Sequence, residues 1–422
     1  MQRELKIGVI GLGGRGLGLL SAIVPMENIK VLAVADHYED RRLKGVDEVK
    51  RVAGNTPLST ADYREVLAMD EIEAVIVSTS WADHIHIAIA AMKAGKYVAS
   101  EVGGAYSIDE CWELVKTYEE TGTPCMLLEN CCYGREELMV LNMVKKGLFG
   151  EVIHCRGGYH HDLRDEITNG RENSHYRLSN YMNRNCENYP THELGPIAKV
   201  LNINRGNRML SLTSMASKAR GLHEYILKEK GPNYDLASFN FTQGDVVTTT
   251  IKCAHGETIT ITLDTTLPRA YSRGFEVHGT KALYMEDNNS LFIDGVHNQY
   301  DFVWKEQWNN VEKLREQYDH PIWQTYTPDA DAGHGGMDVL VLRAFFESVR
   351  EHTLPPIDVY DMAAWMSITT LSEQSIAMGG QPVAIPDFTN GRWINREAEV
   401  QGPFCLSDVC DEWWEKNRNS FK

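Results

Sequence analysis

The first forty residues constrain this chain more than any other stretch. Residues 5–10 form a short apolar run that ends in Gly11-Leu-Gly13-Gly14-Arg15-Gly16, and a helical pattern follows to residue 24. A second apolar run, 31–35, closes on Asp36, twenty residues after Gly16. Strand, glycines, helix, strand and acid in this order are the fingerprint of a βαβ unit that holds a dinucleotide. Gly11 permits the tight turn, Gly13 lets the backbone approach a pyrophosphate, and Gly16 lets helix and strand pack closely. The helix N-terminus offers free N–H groups to the phosphates. Asp36 can accept hydrogen bonds from a ribose diol and would repel a 2′-phosphate, so the pattern predicts NAD over NADP. The competing reading is a glycine turn in some other α/β protein.

The alternation continues. Residues 63–69 have helical spacing, 74–78 read as a buried strand, 84–94 as an Ala/Ile-rich helix, 97–100 as a strand, and 123–128 as another. Ser107-Ile-Asp-Glu110 is a capping box opening a further helix. Strands alternating with helices predict a parallel sheet. After Asn130 the pattern changes. An amphipathic helix is expected over 136–146 and a strand over 152–159. Residues 160–189 read as a long polar loop rich in His, Arg and Asn, and long loops in compact domains are usually functional. A helix over 192–201 is followed by period-2 runs across 209–291, which predict an antiparallel sheet. A second polar loop covers 298–330, and two helices cover 335–350 and 359–378. The expected fold is α/β: a dinucleotide-binding domain over residues 1–130, and an α/β domain over 131–422 built on an open, mainly antiparallel sheet.

With 42 Lys plus Arg against 59 Asp plus Glu, the 422 residues carry a net charge of −17. That balance argues against nucleic-acid or anionic-membrane partners, whose phosphates require clustered cations. No run approaches the roughly 18 apolar residues of a membrane helix. The nine cysteines include no C-x-x-C pair, and the apolar start is glycine-broken and does not read as an export signal. Free thiols in a reducing cytoplasm are expected. Adjacent His160 and His161 on a strand would point to opposite faces, so no metal site is expected.

With these motifs in view, the chain resembles the Gfo/Idh/MocA oxidoreductases, in which a Rossmann domain precedes a domain with a large open sheet and the nicotinamide lies between them. Ser78-Thr-Ser-Trp81-Ala82-Asp83-His84 stands where that family has a strand-end turn against the cofactor, and Ser100-Glu101-Val102 where it usually has Glu-Lys-Pro. The lysine that assists proton transfer in the dehydrogenases is therefore Val102 here. A closer resemblance, to the NAD-dependent glycoside hydrolases of family 109, is carried by Asn188-Tyr189-Pro190-Thr191-His192-Glu-Leu-Gly-Pro, Asn202-Ile-Asn-Arg-Gly206, Gly158-Tyr159-His-His-Asp-Leu-Arg164, Pro268-Arg-Ala-Tyr271-Ser-Arg273 and Ala332-Gly-His334-Gly-Gly-Met-Asp338. The founding activity of that family is α-N-acetylgalactosaminidase. The resemblance implies that Gly11, Gly13, Gly14, Arg15, Gly16, Asp36, Trp81, Ala82, Asp83, His84, Glu101, Val102 and Asn130 hold NAD. It implies that Tyr159, Arg177, Pro190, Thr191 and Tyr271 meet a glycoside substrate, with His192 and Tyr189 as the catalytic pair. The residue four before His192, usually Asp in the dehydrogenase branch, is Asn188.

The implied chemistry departs from the usual two-carboxylate scheme, to which NAD-dependent glycosidases are an exception. Hydride leaves C3 of the sugar for NAD+, the ketone acidifies the C2 proton, elimination expels the C1 substituent, water adds, and the hydride returns. His192 suits the C3 hydroxyl proton because imidazole titrates near neutrality. Tyr189 would need a cation nearby to act as a base, since phenols titrate near pH ~10. Two alternatives remain: an NAD-dependent sugar dehydrogenase, and a non-catalytic NAD-binding regulator. An open sheet face is usually covered by a partner, so a homo-oligomer is expected.

Overall fold

The computed structural model describes residues 3–328, 333–396 and 399–421. Its first sheet contains β1 (Leu5–Ile10), β2 (Ile29–Ala35), β3 (Leu58–Thr60), β4 (Ala74–Val77), β5 (Tyr97–Ser100) and β6 (Cys125–Leu127). All pairings are parallel, in the order β3-β2-β1-β4-β5-β6. β4 is buried along its whole length and β1 nearly so, as expected when helices cover both faces of a parallel sheet. The order reverses beside β1, and a parallel sheet opens a crevice for ligands at such a point, beyond the carboxyl ends of its strands. The capping box forms as expected. Ser107 Oγ accepts from the Glu110 N–H at 3.1 Å, and Glu110 Oε1 accepts from the Ser107 N–H at 3.0 Å.

The second sheet contains β7 (Val152–His160), β8 (Met209–Ala216), β9 (Val246–Cys253), β10 (Thr258–Asp264), β11 (Glu276–Gly279), β12 (Ala282–Met285), β13 (Ser290–Ile293) and β14 (Val383–Ala384). Their order is β13-β12-β11-β7-β10-β9-β8-β14. One pair, β7 with β10, is parallel, and the other pairs are antiparallel. A parallel neighbour needs a crossover, and the long excursion between the end of β7 and the start of β10 supplies it. Burial alternates along β9 and β10, so one face looks inward and the other is open. The helices Thr191–Val200 and Val359–Ala377 pack against the inner side, the first on β7 and the second on β8.

Several elements differ from the sequence expectation. The helix Glu39–Ala53 carries no wide apolar stripe; it buries Gly45, Val46 and Val49 and is otherwise charged, so periodicity does not mark it. Residues 160–189 are not structureless, because they contain the helices Arg164–Thr168 and Arg177–Asn183. The helix Gly221–Glu229 interrupts the expected hairpins, and the short helices Arg315–Tyr318 and Pro321–Thr325 lie in the expected second loop. The helix expected from residue 84 starts at Trp81, and the one expected from 335 starts at Met337. Ala332 and the end of the 298–330 segment lie outside the described residues. Trp414 is buried against Trp413, Phe421 and His320, which makes the C-terminal tryptophans a packing feature. Among the described residues no helix is long and apolar enough to cross a membrane.

A buried ionic cluster fixes the helix that carries His192. Lys199 Nζ donates to Asp361 at 2.9 Å and to Glu399 at 2.8 Å, and Arg205 holds Asp361 at 2.9 Å and Asp358 at 3.0 Å. Removing one member of a buried ion group leaves uncompensated charge, at a cost of about 3–5 kcal/mol. Asp361→Ala is accordingly expected to lower the unfolding free energy by about that amount in urea titration. A loss below about 1 kcal/mol would show that the remaining carboxylates suffice.

Candidate active site

A cleft of about 1160 Å³ runs from the fingerprint glycines to the wall made by Tyr159, Tyr189 and His192. At the glycine end the backbone leaves no room for side chains. Gly11 has φ of +92°, and a Cβ on Gly16 would lie 2.1 Å from the Gly11 carbonyl oxygen. By contrast, Gly14 faces open space and Gly13 meets only the Arg41 guanidinium, 3.7 Å from where its Cβ would stand, which leaves the cradle a pyrophosphate needs. The Asp36 carboxylate is oriented by the N–H groups of Leu12 (2.7 Å) and Tyr38 (2.9 Å) and lines the cleft. Arg41 stacks on Tyr38 and donates to the carbonyls of Asn173 and Ser174, so the segment before the helix Arg177–Asn183 closes this end.

Arg15 spans the middle of the cleft. Its Nε donates to Glu101 at 2.8 Å, and its Nη atoms hold Asp338 in a bidentate pair at 2.6 and 2.9 Å. Asn130 donates to Asp338 at 2.7 Å, and His334 Nδ1 lies 2.9 Å from it. Burial opposes ionisation of Asp338, but His334 and Arg15 together hold its carboxyl far below the usual range. Glu101 is buried, and burial pushes its carboxyl up against the opposing pull of Arg15. Val102 is buried and offers only its N–H, which donates to Glu101 at 3.2 Å. The cation beside Glu101 is therefore Arg15, which remains protonated and cannot move a proton at neutral pH. Burial holds His84 down to about 4, so it is neutral; its Nε2 lies 3.2 Å from the Thr79 carbonyl and its buried Nδ1 has no partner. The open glycine cradle and this unpartnered nitrogen fit a bound dinucleotide.

The other wall is aromatic. Trp81 packs against Tyr176 (4.9 Å between ring centres) and Tyr189 (5.6 Å), and Tyr189 against Tyr159 (4.5 Å) and His192 (4.7 Å). The buried Arg177 guanidinium lies 5.3 Å from the Trp81 and Tyr189 ring centres and 5.9 Å from that of Tyr159, and pairs with Glu166 at 3.3 Å. Burial pushes the Tyr189 phenol well above its ordinary value, and Arg177 offsets only part of this. Tyr189 therefore stays protonated and acts as a donor. His192 Nδ1 lies 2.8 Å from Oε1 of the fully buried Glu129. Asn188 turns away from the cleft: its amide donates to Gln243 at 2.6 Å, and its oxygen accepts from the Cys186 thiol.

The cleft gathers most of the expected residues. Gly11, Gly13, Gly14, Arg15, Gly16, Asp36, Asp83, His84, Glu101, Val102, Asn130, Tyr159, Arg177, Tyr189 and His192 line it. Trp81 stands behind this lining, while Ala82 is exposed on the first helical turn. Pro190 and Thr191 are buried at the start of the helix Thr191–Val200, and Tyr271 is 53% exposed at the rim, 5.1 Å from His161. Sequence reasoning missed Glu129, Glu166 and Tyr176. Glu129 had a signal, since it is a charged residue two positions beyond the end of a buried strand, where parallel sheets place ligands. Glu129, Cys131 and His192 offer ligand atoms within 4.8 Å of one another, and burial pushes the Cys131 thiol well above its ordinary value.

Residues 5–128 match the family described as an oxidoreductase family with an NAD-binding Rossmann fold, and residues 133–395 match the glycosyl hydrolase 109 C-terminal domain. The chain is 40% identical over 421 residues to an alpha-N-acetylgalactosaminidase of Tannerella forsythia, covering 93% of this chain and 88% of that one. It is 40% identical over 420 residues to a glycosyl hydrolase family 109 protein of Stenotrophomonas maltophilia, covering 94% and 91%. Among solved structures, the fold resembles a levoglucosan dehydrogenase in complex with NADH and levoglucosan (TM-score 0.65, 19% identity, covering 91% of this chain and 100% of that one). It also resembles apo scyllo-inositol dehydrogenase from Lactobacillus casei (TM-score 0.64, 13% identity, covering 91% and 99%).

Beneath this wall, Glu187 accepts from the Tyr189 N–H at 3.4 Å, and burial raises its carboxyl to about 8. The folded state thus keeps a proton that the unfolded chain releases near 4.5, so stability falls as pH rises from there through about 8. Glu187→Gln is expected to flatten this fall. Between pH 5 and 8.5 the melting temperature of the wild type should drop by more than that of the variant, and parallel curves would show that Glu187 is already ionised.

Proposed function

The chain belongs to the glycosyl hydrolase 109 family and carries its glycosidase part on an NAD-binding Rossmann fold, and from that premise we propose that it cleaves α-N-acetylgalactosaminides by a redox-neutral route through C3. The observation that supports this reading is a single cleft joining the dinucleotide cradle to Tyr159, Tyr189 and His192. When bound, NAD+ supplies a hydride acceptor at C3 of the sugar and later the hydride that restores it. The chain's own residues position the sugar and handle protons. His192 takes the C3 hydroxyl proton as the ketone forms. The ketone makes the C2 proton acidic; solvent water in the cleft takes that proton as the C1–O bond breaks and the departing oxygen is protonated. Water then adds at C1 while C2 regains a proton from solvent, and the return of the hydride and of the His192 proton restores the C3 hydroxyl. Tyr189, kept protonated by burial, donates to an oxygen of the sugar as charge develops there. Arg177 is a fixed cation among three rings, placed to hold the enolate oxygen without taking part in proton transfer. Trp81 and Tyr176 back the ring wall.

All nine cysteines are buried free thiols, which suits a reducing compartment. Val102 supports hydrolysis over net oxidation, because it removes the lysine that would relay a proton from a substrate hydroxyl.

The test uses purified holoenzyme and nitrophenyl α-N-acetylgalactosaminide in D2O without added cofactor. Nitrophenol release with no lasting rise at 340 nm, and deuterium at C2 of the freed sugar, are expected. Stoichiometric NADH without cleavage would instead make the protein a dehydrogenase, and cleavage without deuterium would remove the elimination step.

A further inference from the structure

Glu129 has no part in the chemistry above, and its setting is unusual. It lies two residues beyond the end of β6 and is fully buried. Its Oε1 receives the Cys131 N–H at 3.2 Å and faces His192 Nδ1 at 2.8 Å, while Oε2 has no partner. The helix Thr191–Val200 is shaped to admit it, since a Cβ on Gly195 would lie 2.8 Å from Glu129 Cγ. Burial opposes the charged form, but His192 holds the carboxyl below its ordinary value. The other titratable or charged groups around the pair are Cys131 and Cys132 beside Glu129, Tyr159, Tyr189 and His161 beside His192, and the Glu193–Arg273 ion pair on the next turn. The cations among the surrounding groups are Arg273, whose side chain is engaged by Glu137, Glu193 and Glu286, and Arg177, which lies against the Tyr159 and Tyr189 rings.

We propose that Glu129 is the positioning residue that makes His192 a base. The carboxylate keeps the ring proton on Nδ1 and leaves the Nε2 lone pair for the cleft. When the C3 hydroxyl proton passes to Nε2 and the C3 hydride passes to NAD+, the C3–O bond becomes a carbonyl. The ring then carries a positive charge, which Glu129 balances at 2.8 Å without itself taking the proton. The return step reverses both transfers. Asn188, in the place of the carboxylate usual in the dehydrogenase branch, is committed to Gln243, so the partner comes from the first sheet instead of from the histidine's own segment. This assignment rests on the functional reading above for its role in turnover, but not for the tautomer it sets.

The test is Glu129→Gln in the holoenzyme, with Glu129→Asp as the conservative variant. Glu129→Gln is expected to lower kcat by about 10²-fold with KM within about threefold, as for other histidine-orienting carboxylates. Glu129→Asp should recover part of the rate. Independently of turnover, ¹⁵N-histidine spectra of the wild type should show neutral His192 as the Nδ1–H tautomer. An Nε2–H tautomer in the wild type, or a Glu129→Gln variant with unchanged kcat, would overturn the proposal. If the wild type neither cleaves the glycoside nor exchanges C2, the functional reading fails instead, and the tautomer still decides the role of Glu129.

Discussion

One buried carboxylate ties the site together. Asp338 receives both Nη atoms of Arg15, the amide of Asn130 and the ring of His334. These donors come from the glycine fingerprint, from the turn after β6 and from the segment leading into the helix Met337–Glu351. A charge in that position would be costly without partners, because burying a carboxylate forfeits its hydration. The arrangement is stable only when all three segments are in place. The cleft therefore forms as a unit: the helix N-terminus that faces a pyrophosphate and the turn beside Glu129, the partner of His192, are referenced to the same anion.

The two ends of the cleft use different physics. The dinucleotide end is built from backbone, with glycines that have no room for a Cβ, N–H groups that orient Asp36, and a carbonyl-bound Arg41 across the opening. The sugar end is built from side chains whose ionisation is controlled by burial. Tyr189 is held protonated and Arg177 is held charged by its ring and carboxylate neighbours, while Glu129 is held ionised by His192. The cation beside Glu101 is Arg15, and its type decides what it can do. A lysine can lend and recover a proton, whereas a guanidinium locked in a bidentate pair can only fix geometry.

Much of this was legible residue by residue. The fingerprint, Asp36, the capping box at Ser107 and the alternation of strands and helices follow from local sterics and hydrogen bonding, and the first sheet formed accordingly. The His192, Tyr189 and Arg177 constellation was reached through resemblance, and the cleft gathers all three. The helix Glu39–Ala53 was not legible because its buried stripe is only three residues wide. The helices within 160–189 were not legible because polar residues there are satisfied by one another, which periodicity of apolar residues does not record.

By itself, then, the sequence determined what is decided by neighbours along the chain: turn conformation at the glycines, helix starts, strand alternation and the inventory of groups able to hold a dinucleotide. Only the tertiary structure decided which carboxylate faces His192, that Asn188 looks away, that β7 and β10 run parallel, and that Arg15 serves Glu101 and Asp338 at once. Those outcomes depend on contacts between residues 63, 55, 104, 86 and 323 positions apart, set by packing and by the need to pair every buried charge.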